Sequence, residues 1–163
     1  MAVILVGGMT ANAKTTKKKS KVNTTKTSKS RIPKGAFAMI KIWQDQKLYL
    51  TKDGKVEDTN GWWSGEVVES NDAYILVIEH DIDGNAGMLG VIYNNTFYIV
   101  ITNSFDPLDF WEYYWEHPYD FNNYVSFNPD SQTVTYRTIY GSKSESLSSV
   151  SASERFKVTW LNK

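Results

Sequence analysis

The sequence predicts an all-β fold, an antiparallel meander of about eight or nine strands that forms a small barrel or sandwich. From residue 35 onward, short runs rich in Val, Ile, Tyr and Trp alternate with turn residues at a regular spacing. Four of the eight gaps between neighbouring runs are two to four residues long, which is the length of a hairpin connection. The 163 residues, 41% of them hydrophobic, suit one domain with a core of its own.

The predicted strands follow from these runs and from the turns between them. They cover residues 36–43, 47–51, 62–69, 74–80, 88–93, 96–102, 124–128, 132–140 and 155–161. Asp53-Gly54 is a strong tight-turn signal. Asn94-Asn95 predicts a two-residue hairpin turn, because Asn tolerates the left-handed conformation that such a turn needs.

The stretch "DFWEYYWEHPYDF", residues 109–121, is the least certain element, because it fits both a strand and a helix. Seven of its thirteen residues are Phe, Trp or Tyr, which favours a strand. Asp106 and Pro107 suit a helix start, Asp109 suits the helix dipole, and Pro118 suits a stop. These signals predict one short helix near 107–117.

Residues 141–154, "GSKSESLSSVSASE", contain seven serines. Such a composition is typical of a surface connection with few side chains to bury. We expect a mobile loop between the last two strands.

Charge divides the chain into two parts that cancel in the total. Residues 14–34 carry nine Lys or Arg and no acid, so residues 35–163 carry the other nine bases and all 18 acids, for a net charge of 9 − 18 = −9. The sequence therefore predicts three segments: a signal-peptide remnant at 1–13, a disordered basic linker at 14–34 and an acidic all-β domain at 35–163.

The first segment has an apolar run too short to span a bilayer, followed by the small-x-small pattern Ala11-Asn12-Ala13, so we expect a secreted or periplasmic protein.

Aromatic residues are the strongest candidates for ligand binding, since Trp and Tyr stack on sugars and other flat ligands. Core packing is the expected role for most of them, but their number exceeds what a small domain usually buries. The candidates are Trp62, Trp63, Trp111, Tyr113, Tyr114, Trp115 and Tyr119.

The stretch "EHDIDGNAG", residues 79–87, is the most metal-like segment. Asp81, Asp83 and Asn85 have the alternate spacing of a calcium loop, but Ala86 and Ile92 stand where that loop needs Gly and Glu. A simple hairpin turn is the favoured interpretation, with these three residues as weak metal candidates and no cofactor expected.

The sequence offers little support for catalysis. Zero Cys excludes a thiolate nucleophile or disulfide, and no residue is predicted to be catalytic. A hydrolase would have to draw its carboxylates from Asp109, Glu112, Glu116 or Asp120.

These observations favour a non-catalytic binding or interaction module with an aromatic-rich acidic surface. Its partner would be a small ligand, a glycan or a protein; the acidic domain is unsuited to nucleic acid, although the basic tail can contact anionic surfaces. The alternatives are a small carboxylate-based hydrolase and an acidic inhibitor or immunity-type protein that covers a basic site.

Overall fold

The computed structural model describes residues 31–61, 63–81, 87–103, 109–117 and 120–161. Pro33–Lys163 form one compact unit. The predicted signal-peptide remnant and all of the predicted linker except its last four residues lie outside the described residues.

Strands dominate this unit. They are β1 (Ala36–Lys41), β2 (Lys47–Thr51), β3 (Lys55–Asp58), β4 (Trp63–Ser70), β5 (Tyr74–Asp81), β6 (Gly87–Tyr93), β7 (Thr96–Asn103), β8 (Val125–Asn128), β9 (Thr133–Thr138), β10 (Gly141–Ser146) and β11 (Arg155–Trp160). Two α-helices, α1 (Asp109–Glu116) and α2 (Phe121–Tyr124), lie between β7 and β8. Short 3₁₀ helices occupy Trp43–Asp45, Leu147–Ser149 and Ala152–Glu154.

Eight of these strands form a closed barrel in the order β11-β1-β2-β3-β4-β5-β6-β7, so the predicted all-β fold class is confirmed. Every pairing is antiparallel, and β1 to β7 follow one another as a meander. β11 closes the barrel because it pairs on one side with β1, at Val158↔Ile40, and on the other with β7, at Phe156↔Phe97. Closure leaves the barrel without a free edge.

The barrel interior is filled by alternate residues of these strands. Its core consists of Ala38, Ile40, Ile42, Leu48, Leu50, Val56, Ile75, Val77, Met88, Ile92, Phe97, Ile99 and Val158. Gly90 makes room for the largest of these side chains, since a Cβ at Gly90 would lie 2.5 Å from Cε1 of Phe97. An eight-stranded barrel is just wide enough for side chains to fill it, as they do here.

A second core lies on the outer face of β5, β6 and β7. There α1 and a separate three-stranded sheet, in the order β10-β9-β8, cover the barrel wall. The members of this core are Leu76, Ile78, Leu89, Val91, Ile101, Phe110, Tyr114, Val125, Phe127, Val134, Tyr136 and Leu147. Helix α1 and strands β8 to β10 therefore form a layer packed against one side of the barrel.

Three elements differ from the prediction. Helix α2, Phe121–Tyr124, was not predicted. Lys55–Asp58 is strand β3, whereas the sequence shows only the Asp53-Gly54 turn before it. The expected mobile loop at 141–154 is wrong: Gly141–Ser146 pairs with β9 over six residues, and Leu147, 2% exposed, anchors the turn that follows. Most of the β10 side chains face solvent, so the strand leaves no apolar alternation in the sequence.

Candidate functional site

The aromatic segment forms helix α1, and the two faces of this helix have different environments. Phe110 and Tyr114 are four residues apart and both buried, and the Phe110 ring meets Tyr136 of β9 edge-on at a centroid distance of 5.5 Å. These two rings attach α1 to the second core. Tyr113, one residue earlier than Tyr114, is only partly buried and lies at the edge of a groove.

The groove lies where α1 and α2 meet the three-stranded sheet, and it has a cavity volume of about 230 Å³. We name it the Arg137 groove. It is lined by Tyr113, Asn122, Asn123, Tyr124, Val125, Ser126, Thr135, Arg137 and Ser142. Strand alternation places its residues, because Val134, Tyr136 and Thr138 are buried while Thr135 and Arg137 project from the other face of β9.

Arg137 is the one charged residue in this lining. Its guanidinium carbon lies 5.3 Å from the centroid of the Tyr113 ring, a cation–π geometry that orients the planar fork. Among the carboxylates whose side chains the structure describes, which do not include Asp109 and Glu112, none lies within ion-pair distance of it. Arg137 is also the first basic residue after Lys55, so it stands alone in an acidic stretch of chain.

One wall of the groove is held rigid by stacked rings. His117 stacks on Tyr113 with centroids 4.1 Å apart, and Tyr124 meets Tyr113 edge-on at 5.1 Å. The Tyr124 hydroxyl donates a hydrogen bond of 2.9 Å to the backbone oxygen of His117. Burial raises the pKa of the Tyr124 phenol above its ordinary value, and the neighbouring Tyr114 and Tyr113 raise it further, so this hydroxyl remains a donor. The wall is therefore preorganised.

Hydrogen-bond donors dominate the groove. Two amides, several hydroxyls and the guanidinium can donate, whereas the lining contains no carboxylate. The lining therefore lacks the paired carboxylates that this kind of acid–base hydrolysis requires. The arrangement is suited to holding a ligand that accepts hydrogen bonds.

The structure separates the predicted ligand-binding residues. Tyr113 lines the Arg137 groove, Tyr114 is buried, and Trp115, 44% exposed, packs its ring edge-on against Tyr114. Trp63 is half-buried against the barrel core. Trp62 and Tyr119 lie outside the described residues, as does the side chain of Trp111.

Of the three weak metal candidates, only the backbone of Asp81 lies among the described residues. Asp81 ends β5, and Asp83 and Asn85 lie outside the described residues. Within the described ranges, no three His, Asp or Glu side chains cluster in a way that would hold a metal ion. Of the carboxylates considered for hydrolysis, Glu116 and Asp120 are exposed to solvent.

Sequence reasoning missed two residues of interest. Arg137 could have been found from its isolation among acids and from its place on the polar face of β9. Glu79 is buried inside the barrel at 1% exposure, on the same face of β5 as Ile75 and Val77. In the sequence, Glu79 could have been recognised as an acid that follows the apolar run of β5, on the same face as Ile75 and Val77.

Glu79 occupies space that Gly65 leaves open on β4. The two residues pair across the strands, and a Cβ at Gly65 would lie 2.6 Å from Cγ of Glu79. Neither carboxyl oxygen of Glu79 has a hydrogen-bond partner among the described residues. Burial raises the pKa of this carboxyl to about 8, and the negative charge of Asp58 contributes to the rise.

Within the described ranges, no helix has the length and apolarity needed to cross a membrane. Comparison of the chain with protein-family models, with curated proteins and with solved structures gives no match in any of the three.

Proposed function

We propose that the protein is an exported, non-catalytic binding module whose Arg137 groove holds a small ligand bearing an anionic group. The observation that carries this proposal is the guanidinium of Arg137, which lies in a groove lined by hydrogen-bond donors and by no carboxylate whose side chain the structure describes. A carboxylate, phosphate or sulfate would supply the acceptors that these donors match.

The negative net charge of the domain opposes an anionic ligand only at long range. Residues 35–163 carry a net charge of −9, which repels anions at long range. At physiological ionic strength the Debye length is about 8 Å, so the repulsion between the domain and an anion farther away than this is largely screened. Short charge-assisted hydrogen bonds to Arg137 then decide binding, and such bonds contribute about 1.5–3 kcal/mol each.

The size of the groove limits the ligand. Its volume of about 230 Å³ is below the ~300–1,000 Å³ that is typical of sites for drug-sized molecules. A single acidic ring or a short acidic chain fits this space, and a polymer would place one unit in it. The stacked wall of Tyr113, His117 and Tyr124 gives such a unit a fixed surface to contact.

Export is part of the proposal and rests on the sequence. The apolar run before Ala11-Asn12-Ala13 is typical of the end of a signal peptide. A binding module outside the cytoplasm would meet acidic sugars and other anionic metabolites directly.

A pair of matched ligands tests the proposal. Glucuronate and glucose share the ring and differ in the carboxylate, so we expect glucuronate to bind at least about tenfold more tightly, measured by chemical-shift titration of backbone amides in β8, β9 and β10. Arg137→Gln should remove the difference between the two sugars. Lys143→Gln is the charge-matched control, because Lys143 is on the neighbouring strand and its register partner is Tyr136, on the opposite face from the groove.

Two results would contradict the proposal. One is equal binding of glucuronate and glucose by the unmodified protein. The other is the absence of any shift at these strands with glucuronate, phosphate and sulfate alike.

A further inference from the structure

A second cavity lies at the end of the barrel near Trp160, and it is lined by other elements than the Arg137 groove. Inward-facing Ile75, Ile92 and Trp160 close the barrel interior at this end, where β5 begins and β6 and β11 end. Turns at 71–73 and 94–95 border the cavity, whose volume is about 250 Å³. We name it the Trp160 mouth; it shares no lining residue with the Arg137 groove. Ligand sites often occupy the mouths of β-barrels.

The floor of the mouth is apolar and aromatic, and its indole ring is held in place. Ile75 and Ile92 are buried, and Trp160 packs partly buried against the same core. The indole nitrogen of Trp160 donates a hydrogen bond of 2.7 Å to Oδ1 of Asn95. A fixed indole above aliphatic side chains offers a flat apolar surface at the entrance of the barrel.

The rim is polar and comes from two tight turns. In the first, Oδ1 of Asn71 accepts from the backbone nitrogens of Ala73 and Tyr74 at 2.8 and 3.0 Å, which fixes the turn that carries Asp72. In the second, Asn94 and Asn95 have φ values of 52° and 62°. Asp72 and both of these Asn residues are exposed.

The choice of Asn at position 95 bears on function. A two-residue hairpin turn with left-handed residues favours Gly at its second position, because Gly has no Cβ penalty there. Asn95 instead retains an amide, whose oxygen accepts from Trp160 while its NH₂ group remains a donor at the rim. Polar side chains in a less favourable backbone conformation are typical of binding sites.

We propose that the Trp160 mouth binds a neutral pyranose sugar. The apolar C–H face of a pyranose would lie on the indole, and its hydroxyl groups would bond to the rim. Each hydroxyl both donates and accepts, which matches a rim that combines the carboxylate of Asp72 with the amides of Asn94 and Asn95. An anion would meet Asp72 unfavourably, and a quaternary ammonium would leave the amides without partners. The small volume favours a single ring.

Titration of the full chain with methyl glycosides tests this inference. Methyl glucoside, methyl galactoside, methyl mannoside and N-acetylglucosamine would be added separately while the indole N–H signal of Trp160 and the amides of the two turns are followed by NMR. We expect at least one of the four sugars to shift these signals with a Kd in the millimolar range, which corresponds to about −4 kcal/mol. Asp72→Ala should raise that Kd about tenfold, which is the loss of one hydrogen bond to a charged group.

Three comparisons make the outcome decisive. Asp130→Ala removes an exposed turn carboxylate outside the mouth and should leave the Kd unchanged. Choline at the same concentrations should cause no shift, and tighter binding of choline than of any sugar would overturn the proposal. An unchanged Kd in Asp72→Ala, or the absence of shifts at the mouth with all four sugars, would do the same. Because Arg137→Gln does not touch the mouth, sugar binding here and anion binding at the groove can fail separately.

Discussion

Replacement of Glu79 by Gln should make the folded protein more stable at neutral pH. Glu79 lies inside the barrel, and the pKa of its carboxyl is raised from an ordinary 4.5 to about 8 by burial and by the charge of Asp58. The folded protein therefore retains a proton that the unfolded chain releases. Glu79→Gln keeps the shape of the protonated side chain and removes the charge.

The size of the effect follows from the two pKa values. Each pKa unit corresponds to about 1.4 kcal/mol, so the difference between 4.5 and 8 corresponds to about 5 kcal/mol in the free energy of unfolding. Because the pKa is raised in the folded state, this contribution is fully present below pH 4.5 and is lost as the pH rises to about 8. At pH 7 about 3 kcal/mol of it has been lost.

Urea denaturation from pH 5 to pH 9 measures this effect. We expect the free energy of unfolding to fall with pH in the unmodified protein and to change much less in Glu79→Gln, with a gap of about 3 kcal/mol in favour of the variant at pH 7. Glu57→Gln is the matched control, since Glu57 is an exposed residue of β3. If the unmodified protein and Glu79→Gln gave parallel pH profiles, the pKa of the Glu79 carboxyl would be the same in the folded and unfolded chain, and the reasoning would be refuted.

Three further predictions concern other parts of the chain. Gly65→Ala should destabilise the barrel by about 1–3 kcal/mol or more, because the new Cβ would lie against the backbone oxygen of Ile78 and 2.6 Å from Cγ of Glu79. Thermal unfolding measures the loss of stability. Equal stability of Gly65→Ala and Ser64→Ala would contradict the prediction. Leu147→Ala should cost about 2–5 kcal/mol in urea denaturation, because its side chain is buried in the second core, whereas Ser148→Ala beside it should cost about 1 kcal/mol or less. N-terminal sequencing of the protein from the cell that produces it should begin at Lys14 if 1–13 is removed on export, and an intact Met1 on cytosolic protein would contradict export.

Local signals in the sequence predicted the hairpins of the barrel well. Asn94 and Asn95 adopt the left-handed conformation that their residue type favours, and Gly54 has a φ of 85° in the predicted turn. Helix α1, Asp109–Glu116, lies within the predicted range of 107–117, whereas the predicted start and stop signals Asp106, Pro107 and Pro118 lie outside the described residues. In each case the information lies within a few neighbouring residues.

The two proposed binding sites could not be predicted in the same way, because they join distant parts of the chain. The Arg137 groove combines Tyr113 of α1 with Arg137 of β9, and the Trp160 mouth combines Asp72 with Trp160. Tyr113 was named as a candidate ligand-binding residue because its segment is rich in aromatic residues. The residues around it, however, depend on how α1 packs against the three-stranded sheet. Strand β10 was missed for a related reason: it is stabilised by pairing with β9 rather than by apolar side chains of its own.

Closure of the barrel by β11 sets the order in which the chain can fold. Strand β1 pairs on one side with its neighbour β2, but its other edge remains unpaired until β11 is available, because Ala38 pairs with Trp160 across nearly the whole described chain. While the protein is being synthesised, β1 and β7 are both open edges, and the interior core cannot be completed until the last strand has left the ribosome. Loss of β11 would therefore leave β1 and β7 as two unpaired edges, and such edges promote aggregation.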